Sequence, residues 1–210
     1  MGQAIYILLG WLLGLLSPGI AERIRRKYRK TELIACVLGE LRELQYTMAW
    51  VAHMLRAHLG LVTDKFLDWV EPLMRDYDGP DAIPNIAEAM AKVRAMPKEC
   101  RSMHLALRKP NRGLDLKEYS IPFLEAMAGE ISICPLDFQR RVWRIKGQLD
   151  LFNQQVLSLR ALFAKTFDPS ITGNNREAVI SNLNEGYEQL ASRAQLIADA
   201  VSEAAFSWKK

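Results

Sequence analysis

The sequence predicts an all-α protein: an N-terminal single transmembrane helix, then a bundle of three long heptad-patterned helices with an insert of short helices. Three observations predict it. Residues 4–20, AIYILLGWLLGLLSPGI, run seventeen positions without a charge. Beyond residue 31 the apolar residues recur at alternating four–three spacing over three long stretches, the period of a helix with one buried stripe. No stretch of useful length alternates apolar and polar residues as a half-buried strand does.

The first element is the apolar run. At the helical rise, seventeen residues reach about 25 Å, a little short of the roughly 30 Å hydrocarbon core of a bilayer. Snorkelling of flanking cations and local thinning of the bilayer absorb that difference. A cleaved signal peptide would have a basic segment before the apolar run and small residues at a cleavage site after it. Here the leading MGQ carries no Lys or Arg, and the cations follow the run instead. Tyr6 stands where a myristoylation signal needs Ser or Thr. Gly10 and Gly14 form a GxxxG around Trp11, a spacing that lets two membrane helices approach closely. These three are the candidate transmembrane packing residues. A hydrophobic helix buried in a soluble assembly is the alternative for so short a run.

Residues 21–30, AERIRRKYRK, hold six basic residues and one acid, a local charge of +5 in a chain whose net charge is +4. The remaining chain is therefore slightly acidic, and the basic pI belongs to one cluster. Cations directly after an apolar span place the following chain on the cytoplasmic side by the positive-inside rule. The sequence thus predicts a protein of the cell (inner) membrane, with its N-terminus out and its C-terminal domain cytoplasmic. Arg23, Arg25, Arg26, Lys27, Arg29 and Lys30 are the candidate contacts to anionic lipid headgroups, each worth about 1 kcal/mol near the surface. A nucleic-acid binder would spread positive charge over a groove or face. Domain organisation follows: residues 1–30 are the anchor and basic juxtamembrane segment, and residues 31–210 a cytoplasmic helical bundle containing the 61–134 insert.

The first long bundle helix is expected over 31–59, with Thr31 as N-cap, Gly60 as stop, and Val37, Leu41, Leu44, Met48, Val51 and Leu55 as its seam. Ile34, Leu38, Trp50 and Leu59 widen that stripe. The second runs over 135–167, opened by Pro135, with Phe138, Val142, Ile145, Leu149, Phe152, Val156, Leu159 and Phe163 in register. The third runs over 174–208 with Ile180, Leu183, Tyr187, Leu190, Ala194, Ile197, Val201, Ala204 and Trp208. The connection DPSITG holds Pro169 and Gly173, and so short a loop predicts an antiparallel hairpin. The insert reads as short helices at 64–77, 84–95, 98–108 and 115–131, punctuated by prolines that include Pro72 and Pro122.

Chemical motifs are sparse. The phosphate loops G-x-x-x-x-G-K-[ST] and G-x-G-x-x-G and the nucleophile elbow G-x-S-x-G are all missing. His53 and His58 stand about 140° apart on a helix, and no Glu lies three residues before a histidine as a helical di-iron site requires. The acidic turn at Asp76, Asp78 and Asp81 misplaces the glycine and glutamate of a calcium loop. Cys36, Cys100 and Cys134 form no C-x-x-C pair and are expected as buried thiols. Lys98–Arg112 forms a second basic stretch, expected as a solvated face.

No catalytic residue, metal ligand or cofactor is therefore assigned from sequence. The expected function is a non-enzymatic interaction or oligomerisation module at the membrane. Its partners would be membrane lipid and either itself or another protein, with neither nucleic acid nor a small-molecule substrate indicated. An oligomeric pore-forming effector is a first alternative, and a helical nuclease or nucleotide-processing enzyme a second.

Overall fold

A computed structural model describes residues 2–80, 85–97, 100, 114 and 116–208, with side chains described among them except at 2–18, 87 and 206–208. All regular structure among these residues is helical, as expected. The described residues form six α-helices, in chain order α1 (Gly2–Leu59), α2 (Asp64–Arg75), α3 (Ile86–Ala95), α4 (Pro122–Ala126), α5 (Leu136–Lys165) and α6 (Asn174–Trp208). A 3-10 turn at Ile131–Ile133 leads into α5.

The expected boundary at Thr31 does not exist. Helix α1 is continuous over 58 residues, about 87 Å at the helical rise. Thr31 caps nothing; its hydroxyl donates to the Lys27 carbonyl at 3.1 Å inside the helix. The physical reason is local. Residues 21–30 are good helix formers with no glycine or proline, and Glu22 pairs with Arg26 one turn on. The helix does end where glycine allows it. Gly60 takes a left-handed conformation (φ 71°), Leu61 N–H bonds the Arg56 carbonyl at 2.8 Å, and Gly60 N–H bonds Ala57 at 3.1 Å, the paired pattern of a Schellman stop.

Helix α6 packs on both α1 and α5, and so occupies the middle of the bundle. Its contacts run in opposite directions along both neighbours. Gln45 of α1 donates to the Ala198 carbonyl and the Ser202 hydroxyl, while Arg56 reaches Gln195. On the other side Arg193 donates to Gln148 and Gln155, and Gln155 donates to the Gly186 carbonyl. Helix α6 is therefore antiparallel to both long partners, and the hairpin predicted at DPSITG is present. Its loop is held by Asp168, which accepts from Ser170 N–H at 2.8 Å and Ser170 Oγ at 2.6 Å.

Most of the predicted seam residues form the core; Phe163 is half-buried, and the Trp208 side chain lies outside the described residues. Phe138, Val142, Ile145, Leu149, Phe152, Val156 and Leu159 of α5 are all buried, as are Leu183, Tyr187, Leu190, Ala194, Ile197, Val201 and Ala204 of α6. Ile180, at the start of α6, is exposed. In α1 the seam residues Val37, Leu41, Leu44, Met48 and Leu55 are buried with Ile34, and Val51 is half-buried.

The insert follows expectation only in its first half. Thr63 caps α2 by accepting from Phe66 N–H at 3.2 Å. Pro72 lies inside α2 rather than ending it. Helix α2 packs on α1, and α3 packs on α2. The helix expected over 115–131 is instead a strap without regular structure at 116–121 followed by the short α4. The strap is held from outside: Asn153 Oδ1 accepts from Tyr119 N–H at 3.0 Å, Asn153 Nδ2 donates to the Tyr119 carbonyl at 2.7 Å, and Arg160 Nε donates to the Leu116 carbonyl at 2.8 Å. Pro122 then keeps Ile121 out of helical backbone (φ −125°, ψ 74°) and opens α4. Glu40 of α1 takes the free amides of Phe123 and Leu124 at 2.7 and 2.8 Å, the work of a helix cap done by a residue from another element. The stretch at 98–108 lies outside the described residues apart from Cys100.

The cysteines depart from expectation. Only Cys134 is buried; Cys36 and Cys100 are exposed.

Candidate interaction surfaces and an apolar cavity

Three features of the bundle face outward or enclose space. The first is the basic stretch of α1. Arg23, Arg25, Arg26, Lys27 and Arg29 are exposed and Lys30 is half-buried, so the helix enters the bundle only after residue 30. The cluster is not uniform. Arg26 is paired with Glu22 at 3.0 Å. Arg29 is gripped by Glu130, with Nε to Oε2 at 2.9 Å and Nη2 to Oε1 at 2.5 Å. That carboxylate holds the Arg29 guanidinium above its usual pKa, first through the hydrogen bond and then through charge. Ile20, Ile24 and Tyr28 are exposed on one side of the same stretch, at the i, i+4, i+8 spacing of a single helical face.

The packing residues Gly10, Trp11 and Gly14 belong to α1, but their side chains lie outside the described residues. Among the described residues no helix is long and apolar enough to cross a membrane.

The second feature is the outer face of α5. Leu136, Trp143, Leu151 and Leu157 are 58, 41, 44 and 50 % exposed. At 100° per residue they fall within one stripe about 120° wide, centred opposite the buried seam through Val142 and Leu149. The outer face of helix α5 thus carries four exposed large apolar side chains, interspersed there with Arg140, Asp150, Gln154 and Ser158. Arg140, Arg141 and Arg144 are exposed around Trp143.

The third is a cavity of about 230 Å³ between α1, α3 and the start of the strap. Helix α1 contributes Trp50, His53, Met54, Ala57 and His58. These positions follow i, i+3, i+4, i+7 and i+8, the spacing of one broad helical face. Helix α3 supplies Met90 and Val93 opposite them. A neighbouring cleft of about 360 Å³ shares Trp50, Met54 and Leu114.

His53 is the most perturbed group in this wall. Its ring lies parallel to Phe66 with centroids 6.3 Å apart and against Trp50 at 5.7 Å. Burial lowers its pKa to about 4, because an imidazolium there would lose its hydration without gaining an anion. Its Nδ1 is buried and has no hydrogen-bond partner among the described residues. Arg56, one turn along, lies over the Phe66 ring at 4.8 Å and donates to Gln195 Oε1 at 3.3 Å. Trp69 closes this side by donating to Asp199 at 2.7 Å. His58 meets Tyr187 edge-on at 5.6 Å.

The sequence reads these histidines as unable to share a metal and His58 as a core or rim residue of the first helix, which leaves the wall unseen. They are separated by about 140°, yet one cavity spans that arc when Trp50, Met54 and Ala57 fill the space between them. The five-residue spacing itself was the available signal. Among the described residues no group of three His, Cys, Asp or Glu side chains is placed to hold a metal ion. Met74 and Met90 of the insert are buried as gap-fillers.

No protein-family model, curated protein or solved structure matches this chain.

Proposed function

We propose that this chain is a membrane-tethered, non-enzymatic interaction module, held at the bilayer by the N-terminal part of α1 and engaging a second copy or another helical protein through its bundle. One observation carries the proposal: α1 is a single helix whose chain passes from an uncharged run, through an exposed basic stretch, into the core of the bundle. A membrane-crossing helix flanked by headgroup-binding cations has this order. Arg23, Arg25, Lys27 and Lys30 are the cations for which no ion pair within the chain competes in the described geometry. The outward stripe of α5 supports the interaction half of the proposal, since it exposes Leu136, Trp143, Leu151 and Leu157 beside Arg140, a mixed surface with Trp and Arg of the kind enriched at protein contacts.

The test is extraction of the full-length protein from membranes, beside the variant Leu12→Arg. Resistance to high salt and carbonate with release by detergent is the expected behaviour, and Leu12→Arg should shift the protein toward the soluble fraction. Release of the unaltered protein by salt alone would overturn the tether and leave residues 4–20 as an assembly helix. The mass of the detergent-solubilised particle then separates self-association from capture of another protein.

A further inference from the structure

We propose that the turn between α4 and α5, together with the first turn of α5, rests on anionic headgroups of the bilayer that holds α1, so that the bundle meets lipid at a second place. Ile133 and Leu136 enter the headgroup layer, and Arg140 meets the lipid phosphates. This contact rests on the tether proposed above and uses only the lowest turn of the α5 stripe.

Level, direction and surface chemistry lead to it. The two-pronged ion pair between Arg29 and Glu130 sets the turn after α4 beside the basic stretch of α1. Burial raises the pKa of the Cys134 thiol, and Lys30 lies close enough for its charge to oppose that rise. Residues 130–136 therefore stand level with residues 29 and 30. Their depth follows from the helical rise. The uncharged run is about 5 Å shorter than the hydrocarbon core. Ile24 is apolar and 51 % exposed, and drawing it to the hydrocarbon edge makes up that difference. Arg29, five residues on, is then about 8 Å beyond the edge, at the outer limit of a headgroup layer about 5–8 Å deep.

Helix α6 is antiparallel to both α1 and α5, so α5 runs parallel to α1 and starts at the bilayer end of the bundle. Helical side chains lean toward the N-terminus of their own helix, which tilts Leu136 and Arg140 toward the membrane. Ile133 and Leu136 are 42 and 58 % exposed. Residues 136–144 hold three arginines and one acid, Asp137, and Arg140, Arg141 and Arg144 are exposed. Aliphatic side chains beside cations match a surface that is anionic outside and apolar beneath. Trp143, Leu151 and Leu157 stand about 11 to 32 Å further along α5 than Leu136, clear of the headgroups and open to a protein partner.

The experiment uses the full-length protein with Cys36→Ser and Cys100→Ser, which leaves the buried Cys134, reconstituted into vesicles of phosphatidylcholine with or without phosphatidylserine. Ile20→Cys, Ile133→Cys and Leu157→Cys each place one fluorescent label, and nitroxide on the lipid headgroups is the quencher. We expect strong quenching at 20 and 133, none at 157, and more at 133 when phosphatidylserine is present. Arg140→Gln should reduce the docked fraction reported at 133 about fivefold, the scale of one charge at an anionic surface, and leave position 20 unchanged. Quenching at 20 without quenching at 133 would overturn the contact and leave the tether standing; its absence at both positions would overturn the two together. Equal quenching at 133 in both lipids would overturn the anionic assignment. A blue shift at 133 without quenching would show that protein covers the turn, and would overturn it too. Leu136→Cys repeats the measurement should Ile133→Cys not fold.

Discussion

Arg29 and Glu130, 101 residues apart in the chain, meet in a two-pronged ion pair that ties the basic stretch of α1 to the turn after α4. The pair does two things. It fixes the point where α1 enters the bundle, and it removes one cation from the set free to meet an anionic surface. The Glu130→Gln variant should therefore bind anionic vesicles more tightly than the unaltered protein, by about fivefold for one released charge. Co-sedimentation with vesicles at low salt checks this, and the gain should shrink at high salt as the charge is screened. A loss of binding would mean that Glu130 positions the stretch rather than competing for it.

His53 should make stability depend on acid. Its folded pKa of about 4 lies below the ordinary value of 6.5, with burial as the cause. The unfolded chain therefore takes up a proton in the window between these values while the folded chain does not. Stability is full above pH 6.5 and falls as pH drops toward 4, by at most about 3 kcal/mol for such a shift. Denaturant melts at pH 7, 5.5 and 4.5 measure the slope, and His53→Leu should flatten it.

The α5–α6 contact should be intolerant of volume at Gly186. A Cβ built there collides with Leu159 Cδ2 and comes within 3.3 Å of its Cγ, and Leu159 is itself buried. Gly186→Ala gains about 1 kcal/mol of helix propensity but must displace Leu159. Gly186→Val, with more bulk and less propensity, should cost about 2 kcal/mol, and Leu159→Ala in the same chain should recover part of it. Chemical denaturation of the two single variants and the double variant reads the coupling.

Removing the clamp on the strap should be costly although it lies at the edge of the core. Asn153→Ala removes both of its hydrogen bonds to the Tyr119 backbone, an expected loss of about 2 kcal/mol. Asn153→Asp keeps the acceptor and loses the donor, so it should fall between the two. By comparison Leu149→Ala, in the fully buried seam, should cost about 3 kcal/mol. Unfolding curves for the three variants give the ranking.

These contrasts mark what a single sequence discloses. Helices α5 and α6 were readable almost to the residue because each buries one continuous seam whose spacing is a local property, as from Phe138 to Leu159. The strap was not, because its conformation is imposed by Asn153 and Arg160, more than thirty positions away, and propensity carries no record of such bonds. Glu40 is a similar case: a cap for α4 supplied from α1 has no signature at α4. The unbroken course of α1 was hidden by Thr31, a residue type that suits a cap but here turns its hydroxyl back onto Lys27. The cavity wall was present in the spacing from Trp50 to His58, but seam residues and wall residues look alike until the opposite side of the space is known.

The continuity of α1 has a mechanical consequence. A helix without a break behaves as a shaft, and the azimuth of its two ends is linked through the number of residues between them. One residue inserted in the basic stretch would turn the outer face of α5 by about 100° relative to the apolar run and move it outward by about 1.5 Å. Four inserted residues would leave a phase error of only about 40°. If the bundle meets its partner in a particular direction around the membrane normal, activity should rise and fall with insertion length at the helical period, and the distance gained would matter far less than the angle.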